Sequence, residues 1–248
     1  MKKLITFLLT TAFLICEGFS QVQQMTFGIR GSIGTSHLLF SDDDKDKFGR
    51  IWSEAIRRTT GYSTSYNTED DFLFNYGFSI YTNYNFQSKP NLGLQTELGF
   101  LFNNGAELTC RATNSNQQFK LSEKYSYTSL EIPVLLTYTF NKGGFIEVIP
   151  QGGFYLSFPF GKCSCETNIH ERWGTTDFSS EEKYEIKNFC MLGFATGCDV
   201  AMNFTEISAL VLNLRYMFDF NKTEIEEIGE LAQRSVFLFS AGYRYTVR

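Results

Sequence analysis

The feature that most constrains this chain is a run of eleven residues with an unbroken period of two. From Leu130 to Phe140 the apolar or aromatic positions are Leu130, Ile132, Val134, Leu136, Tyr138 and Phe140. The positions between them, Glu131, Pro133, Leu135, Thr137 and Thr139, are a mixed and mostly polar set. A period of two is the mark of a strand with one oily face. Several other segments repeat it at hairpin spacing.

Taken in order, the first strand is expected over Thr26–Gly34, with Phe27, Ile29, Gly31 and Ile33 on one face. The second spans Phe72–Tyr84 and carries Phe72, Phe74, Tyr76, Phe78, Ile80, Thr82 and Tyr84 on its oily side. The third spans Leu92–Phe102, and the run described above is the fourth. The tight turn Asn141–Gly144 leads into a fifth strand, Phe145–Phe158. A sixth, Ile186–Asn203, turns through Phe204–Glu206 into a seventh, Ile207–Phe220, and an eighth closes the chain over Ser235–Val247.

The connections alternate in length. Thr35–Asp71, Asn103–Lys124, Pro159–Glu185 and Asn221–Arg234 are long and polar, whereas the others are tight turns. Long connections on one side and short ones on the other are the signature of a bacterial outer-membrane barrel. The expected fold is therefore all-β, an eight-stranded antiparallel up-and-down transmembrane β-barrel with four long extracellular loops. An even strand number puts both termini on the periplasmic side.

Charge placement tests the assignment, because a basic residue facing lipid costs about 2–4 kcal/mol at the bilayer midplane. The charged residues well inside the strands are Arg30, Glu97, Glu131, Glu147, Asp199, Arg215 and Arg244, and all seven fall on the face opposite the oily one. A slip of one residue would have moved a strand's charges into lipid. Eight strands leave an interior just wide enough for side chains, and buried charges need partners. The seven are thus expected to form an interior charge network that plugs the barrel, with Gln151 and Asn213 helping to fill it. A proton or ion path through the same residues is the competing reading, disfavoured because a packed barrel of this size has no aqueous channel. Pro133 and Pro150 sit inside strands, where each removes a ladder hydrogen bond, so bulging or irregular pairing is expected around them.

Composition agrees with this picture. Phe numbers 26 and Tyr 13, yet mean hydropathy is only −0.18, as expected where oily and polar residues alternate. Met1–Lys3 followed by the apolar stretch Leu4–Cys16 and the small residues Gly18 and Ser20 reads as a secretory signal cleaved before Gln21. Residues 1–20 are then the signal peptide and 21–248 one outer-membrane β-barrel domain. Removing Lys2, Lys3 and Glu17 leaves 20 basic and 26 acidic residues, a formal charge of −6. That balance excludes nucleic acid as a partner, since nucleic acid calls for a basic face.

Five cysteines remain after cleavage, Cys110, Cys163, Cys165, Cys190 and Cys198, an odd count that allows loop disulfides or free thiols. Cys163-Ser-Cys165 has only His170 nearby, so a loop disulfide or free thiols are favoured there over a zinc site. The acid run Asp42–Lys47 reads as a solvated loop, because Lys47 occupies the place of the glycine a calcium loop needs. Beyond it, Ile51, Trp52, Ala55 and Ile56 have the spacing of a short helix. No cofactor and no metal is expected. Trp52, Trp173, Tyr62 and Tyr66 are loop aromatics that could anchor a partner, although ordinary loop packing is the blander use of each.

The segment Leu130-Glu-Ile-Pro-Val-Leu-Leu-Thr-Tyr138 resembles a strand of the Bacteroidota outer-membrane β-barrel family that includes PorT-like proteins. Gln151–Leu156, Leu212–Tyr216 and Phe239–Tyr245 add to the resemblance, which runs from Thr26 to Arg248. The end of the chain is also similar to the assembly signal read by the barrel assembly machinery, through Ser240, Gly242, Tyr245 and Val247. The resemblance implies the cell outer membrane as location. It implies a non-enzymatic porin-like barrel that acts as envelope scaffold or binding surface, and as its most specific version a PorT-like component of protein secretion. Partners would be outer-membrane lipid, the assembly machinery during biogenesis, and secretion or envelope proteins. The alternative is an outer-membrane lipid-modifying hydrolase or acyltransferase using His37 or His170, with Ser36 or Ser164 and Asp177 or Glu166 completing a set. A soluble lipocalin-like carrier is excluded by the aromatic exterior.

Overall fold

In the computed structural model, residues 22–60, 65–113, 118–171, 177–225 and 229–247 are described. The proposed signal peptide, Tyr62 and Trp173 lie outside them. Among the described residues nine antiparallel strands follow one another: β1 (Val22–Leu39), β2 (Ser65–Phe86), β3 (Lys89–Thr113), β4 (Gln118–Tyr138), β5 (Ile146–Glu171), β6 (Asp177–Glu185), β7 (Met191–Asn203), β8 (Ser208–Ile225) and β9 (Gly229–Val247). Among the described residues one helix, α1 (Asp42–Thr60), lies between β1 and β2. Consecutive strands pair with one another except β6 and β7, and β1 pairs with β9, so the sheet closes on itself. The ring has eight staves rather than nine, because β6 and β7 pair with successive stretches of β5, Lys162–His170 and Ile146–Ser157.

The strands run well past their expected ends. The stretches Asn103–Lys124 and Pro159–Glu185, expected as loops, are hairpin extensions in which Cys110 pairs with Leu121 and Cys165 with Tyr125 and Glu182. The reason is a reversal of polarity along the strand. On β2 the outward residues Phe72, Phe74, Tyr76, Phe78 and Ile80 are apolar and exposed. On the extension of β3 the exposed positions are Arg111 and Thr113, while Leu108, Cys110 and Ala112 are buried. A pattern sought as oily-out and polar-in stops where the pattern becomes polar-out and oily-in. The flip is built by a register shift between Leu101 and Asn104, where Asn103 adopts a φ of 59° and Gly105 one of 145°.

The acid run also differs from expectation, since Asp42–Lys47 is the first part of a 19-residue helix rather than a loop. Ser41 caps it: its hydroxyl accepts the Asp44 N–H at 3.2 Å and donates to the Asp44 carboxylate at 2.6 Å. Asp42, Asp43 and Asp44 then stand where the helix dipole favours negative charge.

Pro133 and Pro150 are accommodated by irregular pairing without a bulge. Thr96 pairs with Val134 and Gly99 with Glu131 in one register, and the intervening rungs opposite Pro133 and Ile132 are absent. Pro150 likewise falls where the β4–β5 ladder lapses between Thr137↔Gln151 and the isolated Phe140↔Val148 bridge. Each proline faces a neighbour to which no N–H need be offered.

Candidate functional site

Because the sheet is a closed ring, any cluster that draws on most of its strands must lie in the lumen. The lumen is filled in layers. At the hairpin-extension end, Leu38, Leu108, Tyr125, Tyr127, Cys163, Met191, Ile225 and Ala232, from seven strands, form an apolar plug, and Phe48 of α1 packs against it. Beneath it lies Arg234, fully buried. Its Nε and Nη2 reach the two Asp219 oxygens at 2.8 and 3.2 Å, and its Nη1 donates to Glu131 at 2.9 Å. The Ser157 hydroxyl accepts from Nη2 at 3.2 Å and donates to Glu131 at 2.9 Å. The Ser129 hydroxyl donates to Glu131 at 2.6 Å, and the Tyr155 hydroxyl donates to Asp219.

A second apolar layer of Leu101, Leu135, Ala195, Met217, Val236 and Leu238 follows, drawn from six strands once Tyr155 is included. Then come the remaining charges. Arg215 Nη2 lies 2.9 Å from Glu97, and Arg30 lies 3.4 Å from Asp199. Gln151 donates to Asp199 at 3.0 Å and accepts from Gln95 at 3.2 Å, while the Asn213 amide also donates to Asp199. The Arg30 guanidinium carbon stands 4.1 Å from the centre of the Tyr81 ring, within cation–π range. That ring lies over Gly28, its partner across β1 and β2; a Cβ on Gly28 would come within 2.2 Å of it. Arg244, nearest the short turns, donates to Glu147 at 2.6 Å and to the Asn203 side chain at 2.8 Å.

All seven interior charges named from the sequence therefore point inward. They are joined as Arg30–Asp199, Arg215–Glu97 and Arg244–Glu147, with Glu131 left to a partner the sequence reading did not include. That partner, Arg234, fell in an expected loop. Continuing the alternation of β9 from Arg244 inward through Ser240 to Arg234, and of β8 from Arg215 to Asp219, would have found both members. Continuing the Phe218↔Ser235 register by one step places them side by side.

Below the Arg30–Asp199 pair the lumen opens at the short-turn end into a cavity of about 730 Å³. Its walls are rich in amides and hydroxyls, including Thr26, Asn83, Asn85, Gln95, Thr139 and Thr246.

At the opposite end, α1 is tied to the barrel by side chains. Lys45 Nζ donates to Asp70 Oδ1 at 2.6 Å, His37 Nε2 lies 2.9 Å from Asp70 Oδ2, and the Tyr66 hydroxyl donates to Asp46 at 2.7 Å. The Trp52 indole N–H donates to Glu123. Trp52 and Tyr66, the described loop aromatics, thus serve contacts within the chain. Burial alone would raise the Asp70 carboxyl, but the hydrogen bond from Lys45, a backbone N–H and the nearby Lys45 and His37 charges together hold it below the ordinary aspartate range. A depressed acid contributes stability above its unfolded pKa and loses it as pH falls through the folded value. Docking of α1 is therefore expected to weaken selectively below about pH 4. Hydrogen exchange of the α1 amides, followed from pH 6 to pH 3 against those of β7, checks it; Asp70→Asn should abolish the difference.

Neither histidine is brought to its neighbouring candidate serine. Ser36 is fully buried, with its hydroxyl accepting the Gly105 N–H at 2.9 Å and donating to the Leu73 carbonyl at 3.5 Å. His37 follows it on the same strand and so points to the opposite face. Ser164 donates to Glu181 at 2.9 Å, and His170 is six residues further along β5, about 20 Å away at strand rise. Asp177 pairs with His170 through the backbone, and Glu166 accepts from the Asn168 amide at 3.1 Å. Cys110, Cys163, Cys165, Cys190 and Cys198 are all free thiols. Among the described residues no group of three or more His, Cys, Asp or Glu is placed to hold a metal ion.

The architecture is matched by a family described as "outer membrane protein beta-barrel domain", over residues 19–224. The chain belongs to that family. Membership places this barrel in the outer membrane. No curated protein sequence matches it. Among solved structures it is similar to neisserial surface protein A, at 13% identity over 88% of this chain and 96% of that one, with a TM-score of 0.39. OprG from Pseudomonas aeruginosa is 9% identical over 92% and 97%, with a TM-score of 0.45. Ail, the attachment invasion locus protein of Yersinia pestis, is 11% identical over 90% and 98%, with a TM-score of 0.35.

Of the assembly-signal residues, Ser240 is buried in the lumen, whereas Tyr245 and Val247 are exposed on the outer face. Gly242 sits where a Cβ would stand 2.1 Å from the Ile29 carbonyl oxygen, so glycine lets β9 close against β1.

Proposed function

We propose that this outer-membrane barrel is a sealed, non-enzymatic scaffold whose task is carried by its two ends rather than by transport through it. The observation that carries the reading is the Arg234 layer, in which a fully buried cation is held by two carboxylates between two apolar layers. Water and ions have no continuous polar route across such a stack. Both termini and the short turns face the periplasm in this reading, with α1 and the hairpin extensions outside, because long connections of outer-membrane barrels are extracellular. Tyr245 and Val247 would be read by the assembly machinery during biogenesis, and Phe78, Phe154 and their neighbours would meet lipid.

The resemblance of Leu130–Tyr138 to PorT-like strands supports a place in protein secretion, with envelope proteins as partners. The protein reconstituted in planar bilayers is expected to show no stable open conductance, and a deletion strain to lose export of cargo bearing a sorting domain. Steady single-channel openings in the folded wild type would overturn the sealed scaffold. Unchanged export in the deletion strain would overturn the secretion role alone.

A further inference from the structure

The cavity at the short-turn end is more than the space left below a plug. Two of its lining side chains are at least nine-tenths buried: Asn83, 9% exposed, whose Oδ1 has no hydrogen-bond partner among the described residues, and Tyr81, 4% exposed, whose hydroxyl can accept from Arg30 but has no acceptor there for its own proton. Buried polar atoms are seldom left unpaired, since each costs about 1–3 kcal/mol. The two sit two residues apart on the inward face of β2, one an acceptor and the other able to donate.

The charged side chains that line the cavity, Lys142, Glu147, Asp199, Glu206 and Arg244, already have partners within the chain. Arg244 donates to Glu147 at 2.6 Å, Asp199 is paired with Arg30, and the Lys142 ammonium donates to the Pro90 carbonyl at 2.6 Å. An anionic or cationic ligand would compete with these contacts. An extended peptide needs free backbone N–H and C=O groups at a sheet edge, and a closed ring has none. What the walls do offer is neutral: the amides of Asn83, Asn85 and Gln95 and the hydroxyls of Thr26, Thr139 and Thr246, with Phe145 and Phe204 exposed at the rim. Planar amides and hydroxyls answer the paired donors and acceptors of sugar hydroxyls, and an aromatic rim offers flat surface to the apolar face of a sugar ring. A volume of about 730 Å³ accommodates a disaccharide.

We propose that this vestibule binds the end of a neutral glycan built from N-acetylated amino sugars. The acetamido group supplies an N–H for Asn83 Oδ1 and a carbonyl for the Tyr81 hydroxyl. On the orientation proposed above, the site faces the periplasm. It goes beyond the scaffold role and does not depend on secretion, because sugar binding and conductance are read separately.

The test uses the full chain refolded in detergent micelles, with N,N′-diacetylchitobiose as the probe and saturation-transfer NMR as the readout. Saturable transfer to the acetyl methyl groups is expected. It should weaken about tenfold or more in Asn83→Leu, the loss that one well-made hydrogen bond of about 1.4 kcal/mol represents. Thr246→Trp, which fills the cavity from another wall, should abolish it. The heat-modifiable gel shift reports folding of each variant, and competition by excess unlabelled probe gives a second reading on the wild type should a variant fail to fold. Absence of saturable transfer in the folded wild type overturns the proposal and leaves a water-filled vestibule. Equal binding of cellobiose overturns acetamido recognition. Saturable binding of an uncharged extended peptide in place of the sugar overturns the choice of glycan.

Discussion

Arg234→Leu is expected to lower the unfolding free energy by about 3–5 kcal/mol, the cost of stranding a buried charge by removing its partner. The stranded groups are Asp219 and Glu131, both buried, and among the described residues neither has a second cation within the layer. Ser129, Ser157 and Tyr155 would still donate to the two carboxylates, but neutral donors cannot offset a bare charge there. Arg234→Lys is expected to fall between the variant and the wild type, because an ammonium cannot reproduce the planar fork that grips Asp219 through two nitrogens and Glu131 through a third. The decisive comparison is Arg234→Leu combined with Asp219→Leu and Glu131→Leu. Replacing a whole buried ionic cluster with apolar residues is often neutral or stabilising, so the triple variant should recover most of the loss. Denaturant unfolding in micelles measures all three. A single variant within 1 kcal/mol of the wild type would mean that the layer is hydrated, and the sealed lumen would fall with it.

How much of this was legible in the sequence follows from where its alternation was clean. Between Phe72 and Tyr84 on β2 and between Leu130 and Phe140 on β4, the contrast between faces is large, so strand, face and the inward direction of Glu131 could be read directly. Glu97, Asp199 and Arg215 followed by parity, since a period of two leaves only two choices. The pattern became unreadable where the solvent outside the barrel changes. Above Phe72 the outer surface no longer favours apolar residues, and the apolar side chains move inward to Leu38, Leu108 and Tyr125. A polar stretch such as Asn103–Lys124 then looks like a loop although its described residues from Asn104 to Thr113 are held by a ladder to β4. Arg234 was lost for that reason, and so was the use of Phe48 and Trp52, which belong to a helix whose acidic first turn looked like a solvated linker. Tyr81 and Asn83 fall on the inner face by parity, but whether their polar ends find partners depends on the shape of the cavity. No spacing rule encodes that.

The polarity reversal also makes the membrane boundary measurable. The thirteen residues from Phe72 to Tyr84 climb about 30 Å at ~3.3 Å per residue and a tilt near 40°, against an apolar band of about 25 Å in outer-membrane barrels. Phe78 lies at the centre of that stretch, 53% exposed, with its ring stacked 5.3 Å from Phe100 across the strand pair. Phe178, on β6 in the hairpin extension, is just as exposed at 54%. To water-accessible area the two are alike, and only the surrounding solvent separates them. In lipid bilayers Phe78→Arg is expected to cost about 2–4 kcal/mol, the midplane value for a basic residue, and to lower the yield of the heat-modifiable folded form. Phe178→Arg should change stability by no more than about 0.5 kcal/mol, as for an ordinary surface substitution in water. Refolding the pair into vesicles and titrating with urea reads the difference. If the two cost the same, the aromatic belt does not contact hydrocarbon, and the assignment of Phe72–Tyr84 as the spanning part of β2 fails. If Phe178→Arg is the costlier, the barrel sits higher in the membrane than the reversal implies, and α1 with its Lys45–Asp70 tether lies at the lipid surface rather than above it.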